Sequence, residues 1–263
     1  MTTHDYKTIH YGESHHVAMI TLNRPDKRNA ISYELIDDLL AALRQAEKSS
    51  AQIVILTGAG QAFCAGMDLE NLKQLAGRTH EQNVADSETM ARLFRTLYDF
   101  PKPTIAAVNG PAIAGGTGLA TLCDFTLAVP EAKFGYTEVR IGFVPAIVSG
   151  FLLANVGEKR ARDLLLTGRI FGAPEAQTLG LVTEIIAPDQ LLHRAHQLAT
   201  QLMDNSPASL RATKRLLSSY SHEVLDQRIA LAVQENAAIR QTADFKEGIT
   251  AFLEKRKPHW TGK

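Results

Sequence analysis

Apolar positions recur along this chain with two alternating spacings up to about residue 130, and with one spacing beyond residue 145. The runs Tyr6–Tyr11 and Val17–Asn23 are β-branched and apolar, and they predict a hairpin around Gly12–His16. Asn23-Arg24-Pro25-Asp26 reads as a turn. From Ile31 to Lys48 the apolar residues Ile31, Leu35, Ile36, Leu39, Leu40 and Leu43 fall on one helical stripe, with Ser32 as its N-cap. Ile53–Thr57 is a short, continuously apolar strand stopped by Gly58-Ala59-Gly60. Residues 69–98 read as helix in two pieces around a polar interval, Gly77–Asp86, and Pro101-Lys102-Pro103 ends them. Thr104–Val108 and Phe125–Val129 are two more buried strands; between them lie a turn at Asn109-Gly110-Pro111 and a helix after the glycines at 115, 116 and 118.

Short, fully apolar strands alternating with helices predict an α/β architecture whose parallel strands are covered on both faces. After residue 145 the pattern turns helical, over 147–155, 158–166, 174–179, 189–204, 207–218 and a long stretch from 222 to 257. One strand, Leu181–Ile186, interrupts it. The only candidate boundary is a soft one near 190–207.

Composition narrows the function classes. Lysine plus arginine equals aspartate plus glutamate at 28 each, so the chain of 263 residues is neutral. Nucleic acid as the main partner needs a clustered basic excess, which is missing. The two cysteines, Cys64 and Cys123, sit in small apolar stretches and offer no disulfide framework. The start MTTHDYKTIHYGE has no apolar core of a signal peptide, and no apolar run approaches membrane-spanning length. The expectation is a soluble, cytoplasmic protein.

Two loops share one design. Gly60–Asp68 follows the strand at 53–57 and precedes a helix; Asn109–Gly116 follows the strand at 104–108 and precedes another. Ligands in parallel sheets bind beyond the carboxyl ends of strands, and free amides at a helix N-terminus donate to negative oxygens. Two such amides converging make an oxyanion hole. The other reading of the same glycines is tight turns and close packing. A dinucleotide fingerprint fails because position 121 is threonine. Cys64 as a nucleophile would need a neighbouring base, and a small buried thiol is the simpler reading. His193 and His196 have metal-ligand spacing but no third ligand, so no metal is expected. Glu138 stands beside the apolar stretch Val139–Val148; it is either paired, for example with Arg140, or held in an apolar pocket as an acid or base.

The stretches LNRPDKRNAIS (22–32), ILTGAGQAFCAGMDL (55–69), KPTIAAVNGPAIAGGTGLATLCD (102–124), AKFGYTEVRIGFVP (132–145), LLLTGRIFGAPEAQTLGLV (164–182) and EGITAFLEKRKPHW (247–260) together resemble the enoyl-CoA hydratase/isomerase, or crotonase, family. The resemblance implies a β-β-α spiral core over about 1–200, and a helical region over 201–263 that builds a homotrimer or a dimer of trimers and closes the CoA pocket. It implies an acyl-CoA thioester as ligand, with coenzyme A entering as part of the substrate and no other cofactor. It gives the backbone amides of Met67 and Gly115 the task of holding the thioester oxygen while an enolate forms. It places Lys27, Arg28, Ala30, Ala65, Gly66, Asp68, Gly116, Gly118, Phe252 and Lys255 along the substrate and CoA path.

Typical hydratases of that family use two glutamates. The second matches Glu138; the first falls on Gly118, where glycine inside a helix costs about 1 kcal/mol relative to alanine. That glycine either leaves room for a ligand or is merely tolerated. A single carboxylate suits a Δ3,Δ2-enoyl-CoA isomerase. The run Glu138–Ser149 instead resembles methylglutaconyl-CoA-type hydratases, and the expectation is a hydratase or lyase of that kind. A non-catalytic CoA-ester binder is the remaining alternative.

Overall fold

The computed structural model describes residues 6–75 and 77–263. The first five residues, part of the start in which no signal peptide is expected, and Ala76, inside the helical stretch expected over 69–98, lie outside them. The strands are β1 (Ile9–Ser14), β2 (Val17–Leu22), β3 (Ile53–Gly58), β4 (Thr104–Val108), β5 (Ala112–Ile113), β6 (Phe125–Ala128), β7 (Lys133–Gly135), β8 (Ile170–Gly172) and β9 (Glu184–Ile185). The helices are α1 (Tyr33–Lys48), α2 (Leu69–Leu75), α3 (His80–Tyr98), α4 (Gly115–Thr121), α5 (Ala146–Val156), α6 (Glu158–Thr167), α7 (Ala173–Thr178), α8 (Leu191–Met203), α9 (Pro207–Ser219), α10 (His222–Ile239) and α11 (Ala243–Leu253). Short 3-10 turns occupy Pro25–Lys27, Glu138–Ile141 and Pro188–Gln190.

One sheet runs β1-β2-β3-β4-β6-β9, parallel throughout except for the β1–β2 hairpin. Its central strands are the continuously apolar runs; Ile53, Ile55, Ile105, Ala106, Ala107 and Val108 are wholly buried. A second sheet runs β5-β7-β8. Helix α1 lays Leu35, Ile36, Leu39, Leu40 and Leu43 into the core, each contributing roughly 2 kcal/mol of gross burial energy. Its N-cap is Ser32, whose Oγ accepts from the Leu35 amide at 3.2 Å. Ile31 is not helical, because its backbone bridges to Met67 instead.

Three further expectations need adjustment. The hairpin turn is two residues long, His15 and His16, both at positive φ, the combination a tight turn matched to strand twist requires; Gly12 lies inside β1 opposite Met19. The polar interval before residue 86 is helical from His80, because Thr79 and Gln82 form a reciprocal capping box. Its Asn83, Asp86 and neighbouring Ser87 are buried. The long helical stretch from 222 is two helices. Arg240–Thr242 breaks it, and the Thr242 hydroxyl restarts the chain by accepting from the Phe245 amide at 3.1 Å.

Candidate functional site

The two glycine-bearing loops lie side by side. Cys64 bridges Ala112, with the Ile113 amide donating to the Cys64 carbonyl at 2.9 Å. A Cβ on Gly116 would stand 2.2 Å from that carbonyl oxygen, so this glycine is set by loop-on-loop packing rather than by space for a ligand. The Cys64 thiol is fully buried, and burial pushes it up to about 12, which leaves it a core residue and a poor nucleophile. Gly118 is likewise filled in: an added Cβ would meet Val148 Cγ1 at 2.8 Å and the Phe94 ring at 3.2 Å. The room foreseen there for a ligand is occupied by apolar side chains. A glutamate at 118 would have to displace them, and overpacking of this kind typically costs about 1–3 kcal/mol.

Beneath these loops opens a cavity of about 750 Å³. Among the residues singled out from the sequence, Lys27, Arg28, Ala30, Ala65, Met67, Asp68, Gly115, Glu138 and Phe252 line it. Gly66, Gly116, Gly118 and Lys255 are not on its wall; Arg256, next to Lys255, is. Arg256 is itself tied to Glu247 and Glu254.

The backbone around Met67 has a defined orientation. Ile31 donates to the Gly66 carbonyl at 2.7 Å and accepts from the Asp68 amide at 2.9 Å. Residues 66 and 68 therefore face Ile31, and the N–H of Met67 points to the opposite side, where it makes no hydrogen bond among the described residues. Gly115 is the first residue of α4, so its N–H has no intrahelical acceptor. Ala114 before it sits at φ 52, ψ −122, a conformation that disfavours a side chain and that turns the chain sharply into the helix. Its amide is held by the Gly135 carbonyl at 2.7 Å. Two unused N–H groups thus belong to residues on one cavity wall.

Asp68 lies on the wall with its carboxylate already committed. Burial alone would raise its pKa, but the Arg24 guanidinium at 2.8 Å and the Glu70 amide outweigh that and hold it below the ordinary value. Arg24 also donates to the Ala30 carbonyl, and Asn29, wholly buried, bonds the Arg24 amide and the carbonyls of Ala59 and Ala62. This network fixes the loop that carries Lys27 and Arg28. Neither of those two cations enters an ion pair among the described residues.

Glu138 opens a 3-10 turn directly after β7, where Thr137 leads the chain over the cavity. It is 9% exposed, forms no ion pair with Arg140 or any other described residue, and its Oε2 has no partner. Burial pushes its carboxyl up to about 7, opposed only by its own backbone amide. The apolar-pocket alternative is the one realised. Its wall is apolar on both sides: Phe94, Ile141, Phe143, Val144 and Val148 line the same space.

Two polar residues on this wall, Asn236 and Arg240, carried no signal in the sequence. Both stand in a stretch that reads as an ordinary helix, and only the buried polar partners at 83, 86 and 87 hint at them. His193 and His196 lie on the exposed side of α8, away from this cavity. Among the described residues no group of three or more His, Cys, Asp or Glu is placed to hold a metal ion, and no helix is long and apolar enough to cross a membrane.

Residues 12–263 match the family model described as enoyl-CoA hydratase/isomerase. A Thermus thermophilus protein with the provisional name enoyl-CoA hydratase is 49% identical over 249 residues, covering 94% of this chain and 98% of that one. The Escherichia coli 2,3-dehydroadipyl-CoA hydratase is 36% identical, covering 94% of this chain and 96% of its own length. A solved structure of an enoyl-CoA hydratase/isomerase from Xanthobacter autotrophicus superposes with a TM-score of 0.88 at 31% identity, covering 96% of this chain and 98% of that one.

Proposed function

The chain belongs to the enoyl-CoA hydratase/isomerase family, and on that premise we propose that it adds water across the double bond of an α,β-unsaturated acyl-CoA thioester. The observation that carries the reading is the buried, unpaired Glu138 carboxyl on the same wall as the free amides of Met67 and Gly115. The thioester oxygen takes both amides. Glu138 in its ionised form removes a proton from water as the oxygen of that water bonds to Cβ. The electron pair of the double bond moves through the carbonyl carbon onto the oxygen held by the amides. The enolate then collapses by taking the proton back from Glu138 at Cα, which leaves the carboxylate ionised again. One group serves as base and then acid, and a pKa of about 7 keeps both forms within reach at neutral pH. No cofactor beyond the substrate's own CoA is required.

The nucleotide end of CoA belongs, on this reading, to the unpaired Lys27 and Arg28, with Ala30 and Ala65 along its path. Residues 201–263 close the pocket through Phe252 and serve assembly into a homotrimer or dimer of trimers. Supporting that assembly, Leu216, Leu217, Tyr220, Val224 and Leu231 of the α9–α10 region are large, apolar and exposed. Light scattering is expected to give a mass near three or six chains; a monomer would refute the assembly. The two free buried thiols fit a reducing, cytoplasmic setting.

Isomerisation is the second reading, because one carboxylate suffices to carry one proton from Cα to Cγ. Incubation in deuterated water with crotonyl-CoA, 3-methylglutaconyl-CoA and trans-3-hexenoyl-CoA separates the two. Expected is a hydrated product of one of the first two carrying deuterium at Cα. Double-bond migration in the third alone would make the enzyme an isomerase, and silence on all three would refute all three as substrates.

A further inference from the structure

The same cavity is also lined by Arg240 and Asn236, together with Met90, Phe94 and Phe143. Arg240 is 2% exposed and closes α10 at its C-terminal end. One side of its guanidinium is fully explained by the fold. Nη1 donates to Asp86 Oδ2 at 2.6 Å and to Asn83 Oδ1 at 3.2 Å, and Nη2 donates to Asn236 Oδ1. The Phe143 ring lies 5.2 Å from its centre. These contacts pin α10 to α3.

The remaining contacts do not balance. Asp86 is the only carboxylate of the cluster and serves two guanidiniums, because Arg78 also donates to its Oδ1 at 2.9 Å. The Tyr33 hydroxyl donates to that same oxygen. Asn236 Oδ1 is already shared by the Ser87 hydroxyl and Arg240. The carboxylate and side-chain amide oxygens here are all engaged, yet two buried donors, Arg240 Nε–H and Asn83 Nδ2, have no acceptor. The amide nitrogen of Asn236 also makes no hydrogen bond among the described residues. A buried donor left unmade costs about 1–3 kcal/mol, more for a charged group, so a surplus of one sign calls for an acceptor from outside the chain. With two guanidiniums against one carboxylate, the missing partner is an anion.

Resting on the acyl-CoA reading above, we propose that Arg240 and Asn236 form a subsite for a carboxylate at the far end of the acyl group, so that the substrates are thioesters of unsaturated dicarboxylic acids. The apolar wall between Glu138 and Arg240 takes the connecting carbons. The Asn236 amide nitrogen is the donor free to meet the carboxylate directly, and the buried Arg240 guanidinium supplies the positive charge behind it. The substrate would supply the second negative charge of the cluster.

The test reads binding separately from turnover. Saturated ω-carboxyacyl-CoA thioesters of about four to eight carbons are titrated calorimetrically against methyl-ended thioesters of equal length. Binding tighter by about 10- to 100-fold for at least one carboxylate-ended ester is expected, the scale of a charge-assisted pair. The double variant Arg240→Met with Asp86→Asn avoids stranding a buried carboxylate and is expected to erase that preference while still binding the methyl-ended esters. Equal or weaker binding of every carboxylate-ended ester by the unmodified protein would overturn the subsite. So would a preference that survives in a folded double variant. Hydration of the matching unsaturated esters is then assayed. A binding preference without hydration keeps the subsite and refutes the hydratase reading; hydration confined to methyl-ended esters keeps the hydratase reading and refutes the subsite.

Discussion

Replacing Glu138 by glutamine is expected to lower kcat by about 100- to 10,000-fold, the range of a lost general acid–base, while the Kd for a saturated acyl-CoA moves by no more than about twofold. The amide keeps the size of the side chain and removes only its ability to carry a proton. In the unmodified enzyme, kcat/KM is expected to rise with pH and level off above about 7, because the reaction begins with the ionised carboxylate and burial has pushed the carboxyl up to about 7. The same burial acts on stability with the opposite sign. Below about 4.5 both the folded and the unfolded chain hold the proton, and Glu138 makes no difference. Between there and about 7 the folded state keeps a proton that the unfolded chain has shed, so stability falls as pH rises through that window, by about 3 kcal/mol in total. Glu138→Gln removes this fall. Denaturant titrations should show the variant as the more stable protein at pH 8 and the two proteins alike near pH 4. Unchanged turnover in the variant would refute the role of Glu138, and parallel stability profiles would refute its buried, unpaired state.

That gain in stability on losing the carboxylate marks Glu138 as a residue retained at a cost to the fold. Nothing in the fold needs it: it makes no ion pair, and one of its oxygens has no partner. Asp68 has the contrary character, since its carboxylate is consumed by Arg24 and the Glu70 amide and holds the loop bearing Met67 in place. Both carboxylates line one cavity, and only the first is free for chemistry.

The sequence carried the parallel sheet because its central strands are buried on both faces and so read as unbroken apolar runs. Small residues at strand ends and a carboxylate beside an apolar run drew attention to the two loops and to Glu138, but the local pattern left packing and pairing open, and their roles came from the resemblance to the family. The short strands β5 and β8 were not legible, because two or three residues give too little periodicity to register. The Arg240 cluster was hidden for a deeper reason. Its charges and amides lie on α3 and at the C-terminal end of α10, with pairs more than 150 residues apart in the chain, and polar residues on helices read as solvated faces until the packing is known. Gly118 was ambiguous because space beside a glycine is a tertiary property; Phe94 and Val148, which fill it, come from two other helices.

Converting the Met67 peptide N–H to an ester oxygen, by inserting the α-hydroxy acid analogue of methionine, is expected to reduce kcat/KM by about 100- to 1,000-fold, the usual cost of one lost oxyanion donor. The side chain is untouched, so the change isolates the backbone amide. Stability is expected to fall by no more than a few tenths of a kcal/mol, because that N–H makes no hydrogen bond among the described residues and the ester only weakens the Gly66 carbonyl as acceptor from Ile31. The same exchange at Ile31 provides the contrast. Its N–H donates to the Gly66 carbonyl at 2.7 Å, so the ester there should lower stability by about 1 kcal/mol, the typical net worth of a peptide hydrogen bond. Gly115 should behave as Met67 does, since its N–H is equally unused at the start of α4. Thermal melts and steady-state kinetics on the three esters therefore separate two kinds of backbone donor: those that hold the loops together, and those left free to meet a charge that exists only while the reaction is under way. Loss of stability without loss of rate at Met67 would reverse the assignment and make its amide a structural one.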